Sequence, residues 1–142
     1  MNNRQKLAEL ESLVEMTGKC IDSYSLSIEK AREKAGRKDF TLLFSNENQG
    51  FIAGYRDFEN PEIMFIWLFG VLPENRGRGV GSRLLQEFER SAIKKGYKKI
   101  RSYTFNKYKS KIILSLNRGY RIIEARFDET VRDYLILLEK IL

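Results

Sequence analysis

Histidine is absent from this chain of 142 residues. Its absence removes Ser–His and Cys–His nucleophilic machinery, the usual zinc sites and histidine as a general base. No metal is expected. Cysteine occurs once, at Cys20, so no internal disulfide can form, which suits a reducing compartment. Cys20 lies in an apolar helical pattern and reads as a small buried hydrophobe. No apolar run reaches the length of a membrane span, and the opening MNNRQKLAELES lacks the apolar core of a signal peptide. A cytoplasmic protein is expected. Internal repeats, low-complexity segments and nucleic-acid-binding motifs are also missing.

What is present suits one packed domain spanning 1–142. A chain of this size buries roughly 68–70% of its unfolded surface. Hydrophobic residues make up 42% and charged residues 32%, the balance of an ordinary globular chain. Lys+Arg number 26 against 19 Asp+Glu, a net charge of +7 that draws small polyanions.

Taken in order, residues 3–35 carry helical spacing, with Leu7, Leu10 and Val14 in one stretch and Ile21, Tyr24, Ile28, Ala31 and Ala35 in the next. Thr17-Gly18 predicts a break between two helices, and Gly36 ends the second. Phe40–Ser45 and Phe51–Phe58 read as strands joined by the turn Asn46–Gly50. Asp57–Pro61 leads into a third strand, the unbroken apolar run Ile63–Val71. Val80 to Ile93 is helical and Gly96 caps it. Ile100–Phe105 should lie parallel to Ile63–Val71 through a right-handed crossover. A helix from Asn106 to Arg118, capped by Gly119, precedes a closing hairpin of Tyr120–Phe127 and Arg132–Glu139. These elements predict an α/β fold: a mixed, mostly antiparallel central sheet with helices on both faces.

Between the central strand and its helix the sequence reads Leu72-Pro73-Glu74-Asn75-Arg76-Gly77-Arg78-Gly79-Val80-Gly81. The first amides of a helix lack intrahelical acceptors, and the helix dipole places positive potential at the same end. Glycines there remove obstructing Cβ atoms and permit positive φ. The amides from Arg76 to Ser82 can therefore cradle a pyrophosphate. A tight strand-to-helix connection without a ligand is the other reading. The nucleotide triphosphatase loop is excluded because Ser82-Arg83 follows Gly81 where Lys–Ser/Thr is required, and the spacing G-x-G-x-G is one residue short of the dinucleotide fingerprint.

The stretch Val71 to Gly81 resembles the acetyl-CoA motif of the GNAT superfamily of N-acetyltransferases. Its core, [Q/R]-x-x-G-x-[G/A], is matched by Arg76, Gly79 and Gly81, and the order of elements fits from about Phe40 onward. The resemblance implies a splayed parallel strand pair at the cofactor site, with acetyl-CoA as the acetyl donor and CoA as product. It implies pantetheine contacts along Phe69, Val71 and Leu72. Phosphate contacts are implied from Arg76, Gly77, Arg78, Gly79, Val80, Gly81 and Ser82, and a further CoA contact from Asn106, whose other role is helix N-cap. In the family a first strand usually precedes the two N-terminal helices; none is visible here.

Transfer from a thioester to an amine needs a neutral amine, a polarised carbonyl and a proton for the leaving thiolate. The amide near Val71 is placed to polarise the carbonyl. Family members commonly supply the proton from a tyrosine four residues before a Gly-Phe/Tyr pair. Here the pair is Gly119-Tyr120 and that position holds Ser115, a poor acid. Tyr108, Tyr103 or a water is left to serve, with Tyr108 the first candidate; Tyr120 reads as core. For the base, Glu62 comes first by resemblance, with Asp57, Glu59 or a water relay as alternatives. The expected activity is direct acetyl transfer to a primary amine of a small molecule or protein. The alternative is a non-catalytic CoA-binding sensor or scaffold. Neither a membrane nor a nucleic acid is expected as a partner, and a homodimer is one assembly open to the chain.

Overall fold

The structure, a computed structural model, describes residues 2–21 and 24–142. Helix α1, Asn3–Cys20, opens on a reciprocal cap: Gln5 N donates to Asn2 Oδ1 at 2.8 Å and Asn2 N donates to Gln5 Oε1 at 3.0 Å. It runs unbroken through Thr17-Gly18, where the sequence predicts a break. Thr17 is buried and satisfies its hydroxyl on Leu13 O at 2.7 Å, while no atom crowds Gly18. Packing of Leu10, Leu13, Met16 and Cys20 overrides the weak propensity of one glycine. The second helix therefore begins later than its spacing suggests, as α2, Ile28–Ala35, capped by Ser27. Asp22 and Ser23, between the two, lie outside the described residues.

Strands β1 (Thr41–Phe44), β2 (Gly50–Arg56) and β3 (Ile63–Val71) form an antiparallel meander. Helix α3, Val80–Lys94, crosses over to β4, Lys99–Phe105, which pairs parallel to β3. Helix α4, Lys109–Asn117, then leads to the hairpin of β5 (Arg121–Asp128) and β6 (Asp133–Ile141). The six strands lie in the order β1-β2-β3-β4-β6-β5. Among the described residues only β3–β4 is parallel, so the mixed, mostly antiparallel α/β sheet expected from the sequence is the one observed.

Each face of the sheet has its own core. On one, Val80, Leu84, Leu85, Phe88 and Ala92 of α3 cover Ile52, Met64, Ile66, Ile100, Ile136 and Leu138. On the other, α1 and α2 cover Phe51 and Leu68. A bulge in β3 sets where β3 and β4 separate. Ile66 pairs with Gly54 and Leu68 with Ala53, leaving Trp67 without a partner on β2. The extra residue shifts the alternation. Met64 and Ile66 face α3 before the bulge, Phe69 and Val71 face it after, and Leu68 turns to the α1 side. The β3–β4 pairing stops at the same place, at Ile66–Ser102. Beyond it the two parallel strands diverge.

Candidate functional site

The divergence of β3 and β4 opens toward the glycine turn. Gly77 and Gly79 both adopt the left-handed region, at φ 77° and 78°, which an L side chain rarely tolerates. Gly79 is the N-cap of α3 and brings no side-chain acceptor. Among the described residues the amides from Gly77 to Ser82 find no hydrogen-bond acceptor; the first bond at this helix end runs from Arg83 N to Gly79 O, at 3.1 Å. These outward amides sit at the positive end of a helix of 15 residues. Gly77 has open space where a Cβ would stand. The residues present therefore fit a pyrophosphate.

The candidate residues fall into two groups. Phe69, Val71, Leu72 and the segment from Arg76 to Ser82 come together at the strand end and turn. Arg76 is exposed, but its guanidinium lies over main-chain oxygens. Its Nη2 donates to Cys20 O at 2.9 Å and its Nε to Val71 O at 3.2 Å, so its guanidinium ties the end of α1 to the end of β3. Arg78 is exposed, and its carbonyl accepts from Arg83 Nη1 at 3.3 Å. Gly81 is closed rather than open: a Cβ there would stand 3.1 Å from Leu114 Cδ2 and 3.5 Å from Phe69 and Val71. Asn106 follows β4 and anchors through its amide to Tyr134 O at 2.9 Å. It does not cap α4, whose N-cap position is Tyr108.

The acid and base candidates fare differently. Glu62 lies at the start of β3, where its carbonyl accepts from Lys98 and Lys99 amides. About 30 Å of extended strand separates it from Val71 at ~3.3 Å per residue, so the fold does not bring it to the turn. Asp57 caps the β2–β3 turn through the amides of Glu59 and Asn60, at that same far end. Tyr108 is half-buried at the start of α4, with Lys107 Nζ 5.2 Å from its ring centre. Ser115 is buried and commits its hydroxyl to Lys111 O at 2.8 Å. Tyr120 is core, and burial, with Glu89 nearby, pushes its phenol far above its ordinary range.

Two features were not found from the sequence. Trp67 marks the bulge, but an unbroken apolar run carries no period to reveal one. Lys111, on α4, turns its ammonium onto Tyr103 O at 3.3 Å, at the fork between the strands. Its side chain is only partly covered, and the loss of hydration there lowers its pKa from 10.5 to about 8. In the sequence it looks like one more solvated helix lysine.

A bulged strand, an acceptor-free helix N-terminus and two parallel strands parting beside it are the features that the resemblance to the acetyl-CoA motif implies. The sequence profile described as Acetyltransferase (GNAT) family matches residues 7–111. The chain belongs to the GNAT family of acetyltransferases. It is 45% identical over 38 residues to an L-2,4-diaminobutyric acid acetyltransferase of Nocardia farcinica, and 36% identical over 50 residues to that of Halalkalibacterium halodurans. These matches cover 27% and 33% of this chain but only 20% and 26% of those relatives. The fold is similar to the ribosomal-protein-S18-alanine N-acetyltransferase from Escherichia coli, at TM-score 0.80 and 14% identity over 99% of this chain and 90% of that one. A GNAT family acetyltransferase from Elizabethkingia anophelis with acetyl-CoA bound gives TM-score 0.66 at 24% identity, over 82% of this chain and 84% of that one. Among the described residues, no helix is long and apolar enough to cross a membrane.

Proposed function

We propose that this chain is an acetyl-CoA-dependent N-acetyltransferase, a single cytoplasmic domain over 1–142 that moves acetyl directly to a primary amine. The observation that carries the reading is the run of amides from Gly77 to Ser82 without acceptors, beside the point where β3 and β4 part. Those amides hold the pyrophosphate. The main chain of β3 beyond Trp67, released from β4, pairs with the pantetheine arm and polarises the thioester carbonyl. Acetyl-CoA supplies the activated acetyl group. Exposed Arg78 adds positive charge near the phosphates, and Asn106 lies close to the same end of the sheet. No carboxylate among Asp57, Glu59 and Glu62 reaches this end, so the amine sheds its proton to water.

The relatives' names make small diamino acids such as 2,4-diaminobutyrate the first acceptors to try. The experiment is a thiol-release screen of amines with acetyl-CoA. Acetylation of at least one primary amine is expected; CoA binding without turnover on any amine supports the second reading, a non-catalytic CoA-binding sensor. The hydroxyl of Ser115, committed where relatives place a tyrosine, favours that second reading.

A homodimer through the edge strand β5 belongs to the same proposal. Ile122, Ile123 and Phe127 are 49%, 44% and 45% exposed along it. Two antiparallel copies centred on Ala125 would set Glu124 of each against Arg126 of the other, which is favourable across a strand pair. Sedimentation should show a dimer that Ala125→Lys disperses; a monomer at all concentrations rejects it.

A further inference from the structure

We propose that Lys111 is a catalytic residue of acetyl transfer: its ammonium faces the departing sulfur and delivers the proton that turns it into a thiol. The proposal rests on the acetyltransferase reading above. Lys111 Nζ lies 3.3 Å from Tyr103 O, and Tyr103 is the first residue of β4 past the last partner pair with β3, Ile66–Ser102. On the same helix Leu114 presses against Gly81, which in turn sits beside Phe69 and Val71 of the bulged half of β3. Helix α4 thus touches both the glycine turn and the strand fork, and Lys111 brings a positive charge to the fork itself.

A lysine with a structural role on a helix surface extends its ammonium into water. This one is only partly covered but is folded onto main chain, its Nζ 3.3 Å from Tyr103 O, and no charged neighbour among the described residues contributes to its lowered pKa of about 8. A cation held this way costs stability, which an apolar residue would not. The cost has a use if a negative charge appears beside it during the reaction. A proton donor is most effective when its pKa lies near the working pH, and Lys111 meets that condition where Ser115 cannot.

The step balances without another reactant. The neutral amine nitrogen forms a bond to the thioester carbonyl carbon, and the electron pair of the breaking C–S bond goes to sulfur. Lys111 gives its proton to that sulfur and is left as a neutral amine. The proton shed by the new amide nitrogen passes to water, and Lys111 regains one from water after the thiol leaves.

The test uses the full chain with CoA alone and then with acetyl-CoA and an acceptor. Titrating bound CoA by the ultraviolet absorbance of its thiolate should show about tenfold more thiolate in wild type than in Lys111→Met at a given pH below about 8, where Lys111 is still charged, since a cation within 4–6 Å lowers an acid's pKa by a unit or more. Lys111→Arg should keep that thiolate shift. In turnover, Lys111→Met should lose about 10²-fold in kcat with Kd for CoA nearly unchanged. Lys111→Arg should also stay slow, because a guanidinium holds its proton. Full kcat in Lys111→Arg, or a thiol titration identical in wild type and Lys111→Met, overturns the proposal. If wild type binds no CoA, the acetyltransferase reading falls with it. If wild type binds CoA and only the Lys111 comparisons fail, the reading stands and this proposal alone is rejected.

Discussion

An added methyl at Gly81 would stand 3.1 Å from Leu114 Cδ2, with Phe69 and Val71 close behind. Gly81→Val should therefore overpack the contact between α3, α4 and β3 and lower stability by about 1–3 kcal/mol, read as a lower urea midpoint. A midpoint equal to wild type would mean that Gly81 faces open space. Arg76→Ala removes donors from Cys20 O and Val71 O. It should cost about 1 kcal/mol whether or not CoA is present. A loss seen only as weaker CoA binding would instead give Arg76 to the phosphates. Lys111 makes stability pH-dependent. Its pKa falls from 10.5 to about 8 on folding, so between those values the unfolded chain binds more protons than the folded one. Stability should rise as pH increases across that window, and the rise should be missing from urea midpoints of Lys111→Met.

At the scale of elements, α1 carries Gly18 in mid-helix with no atom near its missing side chain. Gly18→Ala should raise stability by about 0.5–1 kcal/mol, visible as a higher melting temperature. No gain would mean that α1 is broken there after all. The same helix shows what a sequence can and cannot disclose. The bounds of β3, the start of α3 and the caps at Gly96 and Gly119 were legible because glycine, proline and apolar spacing act locally. The unbroken passage of α1 through Thr17-Gly18 was not, because it depends on the distant contacts of Leu13 and Cys20. The turn at the cofactor end was legible as a motif. The tie of Arg76 to Cys20 O depends on where α1 ends, the distance of Glu62 from the turn depends on strand direction, and the contact of Lys111 with Tyr103 O depends on how α4 docks. None of these leaves a local trace.

Across the whole molecule, Glu89 of α3 joins elements that are distant in sequence. Its side chain is 5% exposed and meets Arg118 Nη2 at 2.7 Å and Lys140 Nζ at 3.3 Å, linking α3 to the end of α4 and to β6. The link holds the β5–β6 hairpin and α4 in place around the strand fork. The central claim, that this fold presents acceptor-free amides to a CoA pyrophosphate, is tested most directly by melting the protein with acetyl-CoA, CoA and NADH in turn. At a hundredfold excess over Kd, binding to the native state adds about 2.7 kcal/mol, a rise of roughly 5–11 °C for a chain near 150 residues. Acetyl-CoA and CoA should give that rise and NADH should not. No shift with CoA, or an equal shift with NADH, would contradict the account.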